Sequence, residues 1–279
     1  MRERTIAARP ATQECTAISA DGAHWVLLNV SADIGRQIDG FAPLHPRAPR
    51  DTPIGAILLG NGDLDHCLGL LCLRESQPLA VYATARVERG FRSNVFSRTL
   101  ERGPGQVVWR GLILGEETEI RGPDDRPTGL VVTALPAPGK VPTHLADKCG
   151  GDPEDNVGFR IRETSTGRQL AYFSSVGAVT PLVVEGLAGA DCVFFDGTFW
   201  ASDELPALGL GTARAEAMAH APIGGPDGTL VRLAGLAARR RIFVHLNNTN
   251  PLLRRDSPER RAVEARGWEV AEDGLEVDL

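Results

Sequence analysis

The chain has 279 residues, 42% of them hydrophobic and 24% charged, with a net charge of −6. That is ample material for a core, and with no linker, repeat or low-complexity tract a single domain over 1–279 is the expectation. No basic cluster is followed by aromatics, no window approaches the roughly 18 apolar residues of a membrane span, and no apolar run follows Met1-Arg2-Glu3-Arg4, which argues against nucleic acid, a membrane segment and a leader.

In chain order, the apolar run 24–30 predicts a strand, and Ser31 a cap for a helix over 33–38. A second strand, 55–59, turns through Gly60-Asn61-Gly62-Asp63-Leu64-Asp65-His66 into an apolar helix carrying Cys67 and Cys72. Strands are expected at 79–82, 129–134, 157–161, 170–173, 191–195 and 242–246, with a short final pair at 268–270 and 275–277. Helices are expected from Thr180-Pro181, over the Ala-rich 212–219, over 228–236 and over 257–263. Most strands are apolar on both faces, as strands buried between layers are, so the fold class is a layered α/β sandwich. The polar stretch 141–156 is either a functional rim or a variable surface loop. Arg239-Arg240-Arg241 is expected to be a solvated helix end. Five scattered cysteines, Cys15, Cys67, Cys72, Cys149 and Cys192, without a Cys-x-x-Cys pair, fit reduced thiols in a cytoplasmic protein.

Three histidines fall at the ends of apolar segments: His66 after strand 55–59, His220 after the Ala-rich stretch, and His245 in strand 242–246. Asp65 and Asp196 sit in comparable places, where α/β folds gather their sites. On spacing alone these five either form one metal centre or are unrelated surface and core residues. His24 and His45 are expected to be structural or exposed. Phe195-Asp196-Gly197-Thr198-Phe199-Trp200 places an acid and a hydroxyl in an aromatic turn. In His245-Leu246-Asn247-Asn248-Thr249-Asn250-Pro251 the amides either bind a polar substrate or form turns before Pro251, and the residues alone favour turns.

The segments Leu64-Asp65-His66 with Gly69-Leu70-Leu71-Cys72-Leu73-Arg74-Glu75, Gly151-Asp152-Pro153 with Asp155-Asn156-Val157-Gly158, Asp196-Gly197-Thr198-Phe199-Trp200, Met218-Ala219-His220-Ala221-Pro222-Ile223, His245 to Pro251 and Asp273-Gly274-Leu275-Glu276 occur in this order. Together they resemble the PqqB family of pyrroloquinoline quinone (PQQ) biosynthesis, within the metallo-β-lactamase superfamily. The resemblance implies an αββα sandwich with its site at one sheet edge. It makes Asp65, His66, His220 and His245 ligands of a mononuclear metal, with Asp196 either joining them or orienting a histidine from behind. Asn61 and Asp63 stand where the superfamily pattern His-x-His-x-Asp-His has its first two histidines, which argues against a two-zinc hydrolase.

The implied activity is iron(II)- and oxygen-dependent hydroxylation of a tyrosine-derived ring on a small-molecule or short-peptide precursor. Zinc is the alternative metal. Asn61, Asp63, Asp155, Asn156, Asn247 and Asn248 are the expected substrate contacts. A zinc hydrolase and a non-catalytic carrier of PQQ or its precursor are the alternative functions, and a homo-oligomer is left open. The family's N-terminal strand, glycine-rich loop and Cys-x-Cys-x-x-Cys zinc motif have no counterpart in this sequence, so either a divergent paralogue in another peptide-derived pathway or a truncated start is a further expectation.

Overall fold

The computed structural model describes residues 8–73, 77–146 and 150–279. Cys149, the Arg74-Glu75 end of one motif and the first residues around Arg4 lie outside that set. The first sheet is five-stranded, in the order β1 (Thr16–Ile18), β2 (Trp25–Leu28), β3 (Ile54–Leu58), β4 (Leu79–Ala83) and β5 (Val107–Gly111). The second is seven-stranded, with β6 (Glu117–Arg121), β7 (Pro127–Pro136), β8 (Val157–Glu163), β9 (Gln169–Phe173), β10 (Cys192–Asp196), β11 (Arg240–Val244) and β12 (Glu269–Val270) side by side in that order.

Alternation along the strands explains the layers. Val26, Leu28, Leu58 and Tyr82 point inward and meet Phe159, Tyr172, Phe194 and Ile242 of the other sheet. Their neighbours Leu27, Ile57 and Val81 point outward, into a cluster with Ile34 of α1 (Ile34–Gly40), Cys67 of α2 (Leu64–Cys67) and Val87 of α3 (Ala85–Arg92). On the far side Phe173, Val193, Phe195 and Phe243 pack with residues of three more helices. These are Val183 of α4 (Pro181–Leu187), Leu230 of α6 (Thr229–Arg232), which follows the short α5 (Glu204–Ala207), and Val263 of α7 (Pro258–Glu264). The order helix, sheet, sheet, helix is the expected αββα sandwich. Both faces of each central strand are covered, which is why the sequence shows continuous apolar runs. Each large side chain so buried contributes about 1.5–3 kcal/mol.

Local signals account for several boundaries. Thr180 accepts a hydrogen bond from Val183 N and Pro181 fills the first turn of α4; Ser257 accepts from Arg260 N in the same way at α7. Close approach fixes two glycines. A Cβ on Gly158 would lie 2.2 Å from the Phe173 ring, and one on Gly69 would lie 2.1 Å from the Ser31 carbonyl oxygen.

Other expectations are corrected. Ser31 does not cap α1 through its side chain, which lies 3.3 Å from Gln37 Oε1. The Ala-rich 212–219 forms only a 3₁₀ turn, Glu216–Met218, because Ala215 N bonds Ser202 O and Ala221 N bonds Val176 O, both away from a helical path. The expected helix over 228–236 shortens to α6, and 275–277 is not a strand. Strands β1, β5 and β6 escape the sequence pattern because they are short and only half-buried. Arg240 and Arg241 open β11 instead of ending a helix, and Arg240 Nε and Nη2 donate to Glu269 at 2.8 and 2.7 Å. No helix among the described residues is long and apolar enough to cross a membrane.

Candidate metal centre

Strands β2 to β4 run parallel in one sheet and β9 to β11 in the other, and the segments leaving their C-terminal ends carry the polar cluster. After β3 the chain turns into α2, which begins Leu64-Asp65-His66. Backbone bonds from Val30 N to His66 O (2.7 Å) and from Gly69 N to Val30 O (3.0 Å) clamp α2 against the end of β2. After β10 comes Asp196-Gly197-Thr198, and just beyond the end of β11 comes His245. Asn29, Ala219 and His245 are three of the five non-glycine residues with positive φ among those described, at 57°, 64° and 59°. Such left-handed backbone is held only where surrounding contacts over-determine it, and it gathers at sites.

His66 Nε2 lies 2.9 Å from His245 Nε2, and Asp65 Oδ2 lies 3.2 Å from His245 Nε2 and 4.0 Å from His66 Nε2. Donors bound at about 2.1 Å to one ion stand roughly 3.0–3.4 Å apart, so both contacts of His245 have the spacing of ligands sharing one ion, while Asp65 and His66 stand wider. His66 is buried while Asp65 is partly exposed, which leaves one side of the group open. The charges answer one another. Burial and the nearby His245 charge lower the His66 pKa to about 3. Burial would lower His245 too, but its hydrogen bond to Asp65 and the charges of Asp196, Asp65 and Glu14 raise it to about 9. Burial alone would raise Asp65; its bond to His245 and the charges of His66 and His245 hold it well below the usual carboxylate range. Without a metal, then, one proton on His245 separates two facing nitrogens, and a metal ion would take that proton's place.

A second group, Asp196, His220 and His245, also lies close enough for a metal, but both carboxylate oxygens of Asp196 already accept from backbone or hydroxyl donors. Fully buried Asp196 accepts from Thr198 N (2.9 Å) and Thr198 Oγ1 (2.6 Å) at Oδ1. At Oδ2 it accepts from Val176 N (2.8 Å) and lies 2.7 Å from His220 Nδ1. Burial opposes its charge, but the His220 charge and these bonds keep its pKa low. Thr198 Oγ1 also lies 2.7 Å from His245 Nδ1 and 3.0 Å from His220 Nδ1, and the two imidazoles stack with centroids 5.4 Å apart.

The remaining expected residues divide. Asp63 lies within range of the charges of Asp65, Lys140, His144 and His220; burial first and Asp65 second raise its pKa. Asn61 Nδ2 donates to Asn156 Oδ1 at 3.0 Å, and Asn156 Nδ2 donates to Ser175 O at 2.9 Å, so this pair braces the two sheets. Asp155 accepts from Arg86 Nε at 3.0 Å and from Asp152 N at 2.8 Å, the latter closing a capping box. Asn247 uses both ends of its amide in a local turn, with Thr249 Oγ1 at 2.7 Å and Asn248 N at 3.0 Å, and Asn248 is exposed. His24 and His45 lie exposed, His24 beside Asp21 and His45 beside Asp39.

Sequence reasoning missed four contributors. Thr198 was visible only as a hydroxyl near an acid. Asn250 Nδ2 donates to Gly197 O (2.8 Å) and Thr198 O (3.2 Å), tying the His245 loop to the Thr198 loop. Asn29 accepts from Gly60 N (2.9 Å) and donates to Glu14 Oε2 (2.9 Å). Glu14 arrives from the segment before β1; its Oε1 is shut off from solvent without a partner, and burial raises its pKa to about 7 despite the His245 charge and the Asn29 bond. No periodicity or motif marks Glu14 or Asn29.

Residues 24–246 match the beta-lactamase superfamily domain family. The chain is 43% identical over 275 residues to coenzyme PQQ synthesis protein B of Methylorubrum extorquens, covering 97% of this chain and 89% of that protein. A crystal structure of Zn(2+)-bound PqqB from Methylobacterium extorquens superposes with a TM-score of 0.90 at 41% identity, covering 98% of this chain and 89% of that one. A diphosphatase of the PhnP family, at 20% identity and a TM-score of 0.61 over 94% of this chain and 82% of that one, shares the fold.

Proposed function

Because the chain belongs to the coenzyme PQQ synthesis protein B family, we propose that it acts in PQQ synthesis as a metal-dependent oxygenase that hydroxylates the tyrosine-derived ring of a small precursor. The observation that carries this reading is the convergence of two imidazole Nε2 atoms and one carboxylate oxygen, His66, His245 and Asp65, on one point with an open side. Two histidines and one carboxylate with free positions form the ligand set of non-haem iron(II) oxygenases. Bound there, iron(II) would supply dioxygen activation. Asn61 and Asp63 in place of histidines weigh against the two-metal hydrolytic arrangement.

The protein's own groups have separable tasks in this reading. His66, His245 and Asp65 hold the ion; Asp196 and Thr198 orient His245 and His220 from behind. Asp63, near the charge of Asp65, and the exposed Asn248 are left to contact substrate, while Asn61, Asn156 and Asp155 keep the surrounding loops in place. Hydroxylation places one oxygen atom on the ring and releases the other as water, so it draws two electrons from an external reductant. Zinc is the second reading for the metal, favoured by the zinc bound in the related PqqB crystal structure.

The test is anaerobic loading with iron(II), then addition of oxygen, ascorbate and a tyrosine-containing peptide precursor. Oxygen uptake with a product heavier by one oxygen atom is expected. Absence of uptake with iron, or turnover of an ester with zinc alone, would overturn the oxygenase reading in favour of binding or hydrolysis.

A further inference from the structure

The hydroxyl of Thr198 sits among three polar neighbours and has one proton to give. Its Oγ1 lies 2.6 Å from Asp196 Oδ1, 2.7 Å from His245 Nδ1 and 3.0 Å from His220 Nδ1. A hydroxyl donates once and accepts through two lone pairs, whereas an ionised carboxylate only accepts. The 2.6 Å contact with Asp196 must therefore hold the Thr198 proton. That leaves Thr198 an acceptor toward both rings, so His245 Nδ1 is the donor in its contact. His220 Nδ1 faces two acceptors, Thr198 Oγ1 at 3.0 Å and Asp196 Oδ2 at 2.7 Å, so it too carries a proton.

We propose that Thr198 is a positioning residue that locks His245, and with Asp196 also His220, in the tautomer protonated on Nδ1. The lock presents the bare Nε2 of His245 to His66 and Asp65, and it turns the Nε2 lone pair of His220 away from Asp196. It is built into the fold. Thr198 N is fixed on Asp196 Oδ1 (2.9 Å), its carbonyl accepts from Asn247 N (3.1 Å) and Asn250 Nδ2 (3.2 Å), and Asp196 is anchored by Val176 N (2.8 Å). Two segments that follow adjacent parallel strands, β10 and β11, are thereby held in one hydrogen-bonded unit. Outer partners of this kind orient a ligating imidazole and raise its basicity. The inference rests on the ligand set proposed above.

The experiment compares Thr198→Val, which keeps the shape and removes the hydroxyl, with Thr198→Ser, which restores it. Zinc(II) affinity, measured by competition with a chromogenic chelator, is expected to fall roughly 10- to 100-fold in the Val variant and to return close to wild type in the Ser variant. In alkaline metal-free wild type labelled with ¹⁵N-histidine, where no ion dictates the tautomer, His245 and His220 are expected to show protonated Nδ1, and His245 to lose that signature in Thr198→Val. Wild-type zinc affinity in Thr198→Val, or a bare Nδ1 on His245 in wild type, overturns the lock. Unchanged zinc affinity in His245→Ala instead overturns the ligand set; the histidine signals of alkaline metal-free protein then test the lock separately. If Thr198→Val does not fold, the wild-type Nδ1 signals decide alone.

Discussion

His66 and His245 are 179 positions apart, yet their Nε2 atoms meet at 2.9 Å. Two bare imidazole nitrogens at that distance repel, so either a proton on one of them or a metal ion lies between them. The metal-free protein meets this demand by keeping the His245 pKa near 9 and that of His66 near 3.

His66→Ala and His245→Ala are each expected to weaken zinc(II) binding by more than the roughly 10- to 100-fold that loss of an outer partner costs. Each removes one of three donors from the same point. Chelator competition on the purified variants measures it, and wild-type affinity in either variant would dissolve the proposed centre.

Gly69→Ala should damage both stability and the site. The new Cβ would meet the Ser31 carbonyl at 2.1 Å and Val30 Cγ2 at 2.7 Å, on the segment that clamps His66. Overpacking of this kind costs about 1–3 kcal/mol. Urea denaturation should show the lower midpoint, and zinc affinity should fall with it because α2 has to move.

Asp196→Asn conserves volume but sets an amide N–H₂ against donors. Val176 N, Thr198 N, Thr198 Oγ1 and His220 Nδ1 converge on the two carboxylate oxygens, and an Asn can accept through only one atom. A loss of about 1–3 kcal/mol is expected from the group left unsatisfied. Denaturation curves measure the stability change, and the ¹⁵N signals of His220 report whether its Nδ1 proton has moved.

Glu14→Gln should change the pH dependence of metal-free stability. The folded pKa of Glu14 is about 7 against an unfolded value of 4.5, so between these values the folded state holds a proton that the unfolded chain has lost. The Glu14 contribution is therefore fully present below 4.5 and declines as pH rises to about 7. Glutamine carries no titrating proton, so the variant should gain stability relative to wild type across that interval. Paired urea titrations in steps of pH test it; a constant difference would place the Glu14 carboxyl in a more solvated setting.

The layered fold was legible because burial on both strand faces leaves unbroken apolar runs, as at residues 56–59, 192–195 and 242–244. Asp65, His66, Asp196 and His245 stood out for a related reason: a polar group directly after such a run has few places to go except a site. The Ala-rich 212–219 misled because helix propensity yielded to tertiary bonds from Ala215 to Ser202 and from Ala221 to Val176. Asn61, Asn156 and Asp155 have the polarity of substrate contacts, but their hydrogen bonds run within the protein.

By itself the sequence determined the buried strands, the layered sandwich and the residue types gathered at the strand ends, since these follow from local periodicity and composition, but not the half-buried strands β1, β5 and β6. Only the tertiary structure decided which atoms meet: His66 Nε2 with His245 Nε2, Thr198 between Asp196 and two imidazoles, and Glu14 held by Asn29. Those relationships depend on how two sheets approach each other, to within a few tenths of an ångström, across long separations in sequence. Hydrophobic patterning brings the layers together, but it does not specify the pairing of polar atoms at their edge.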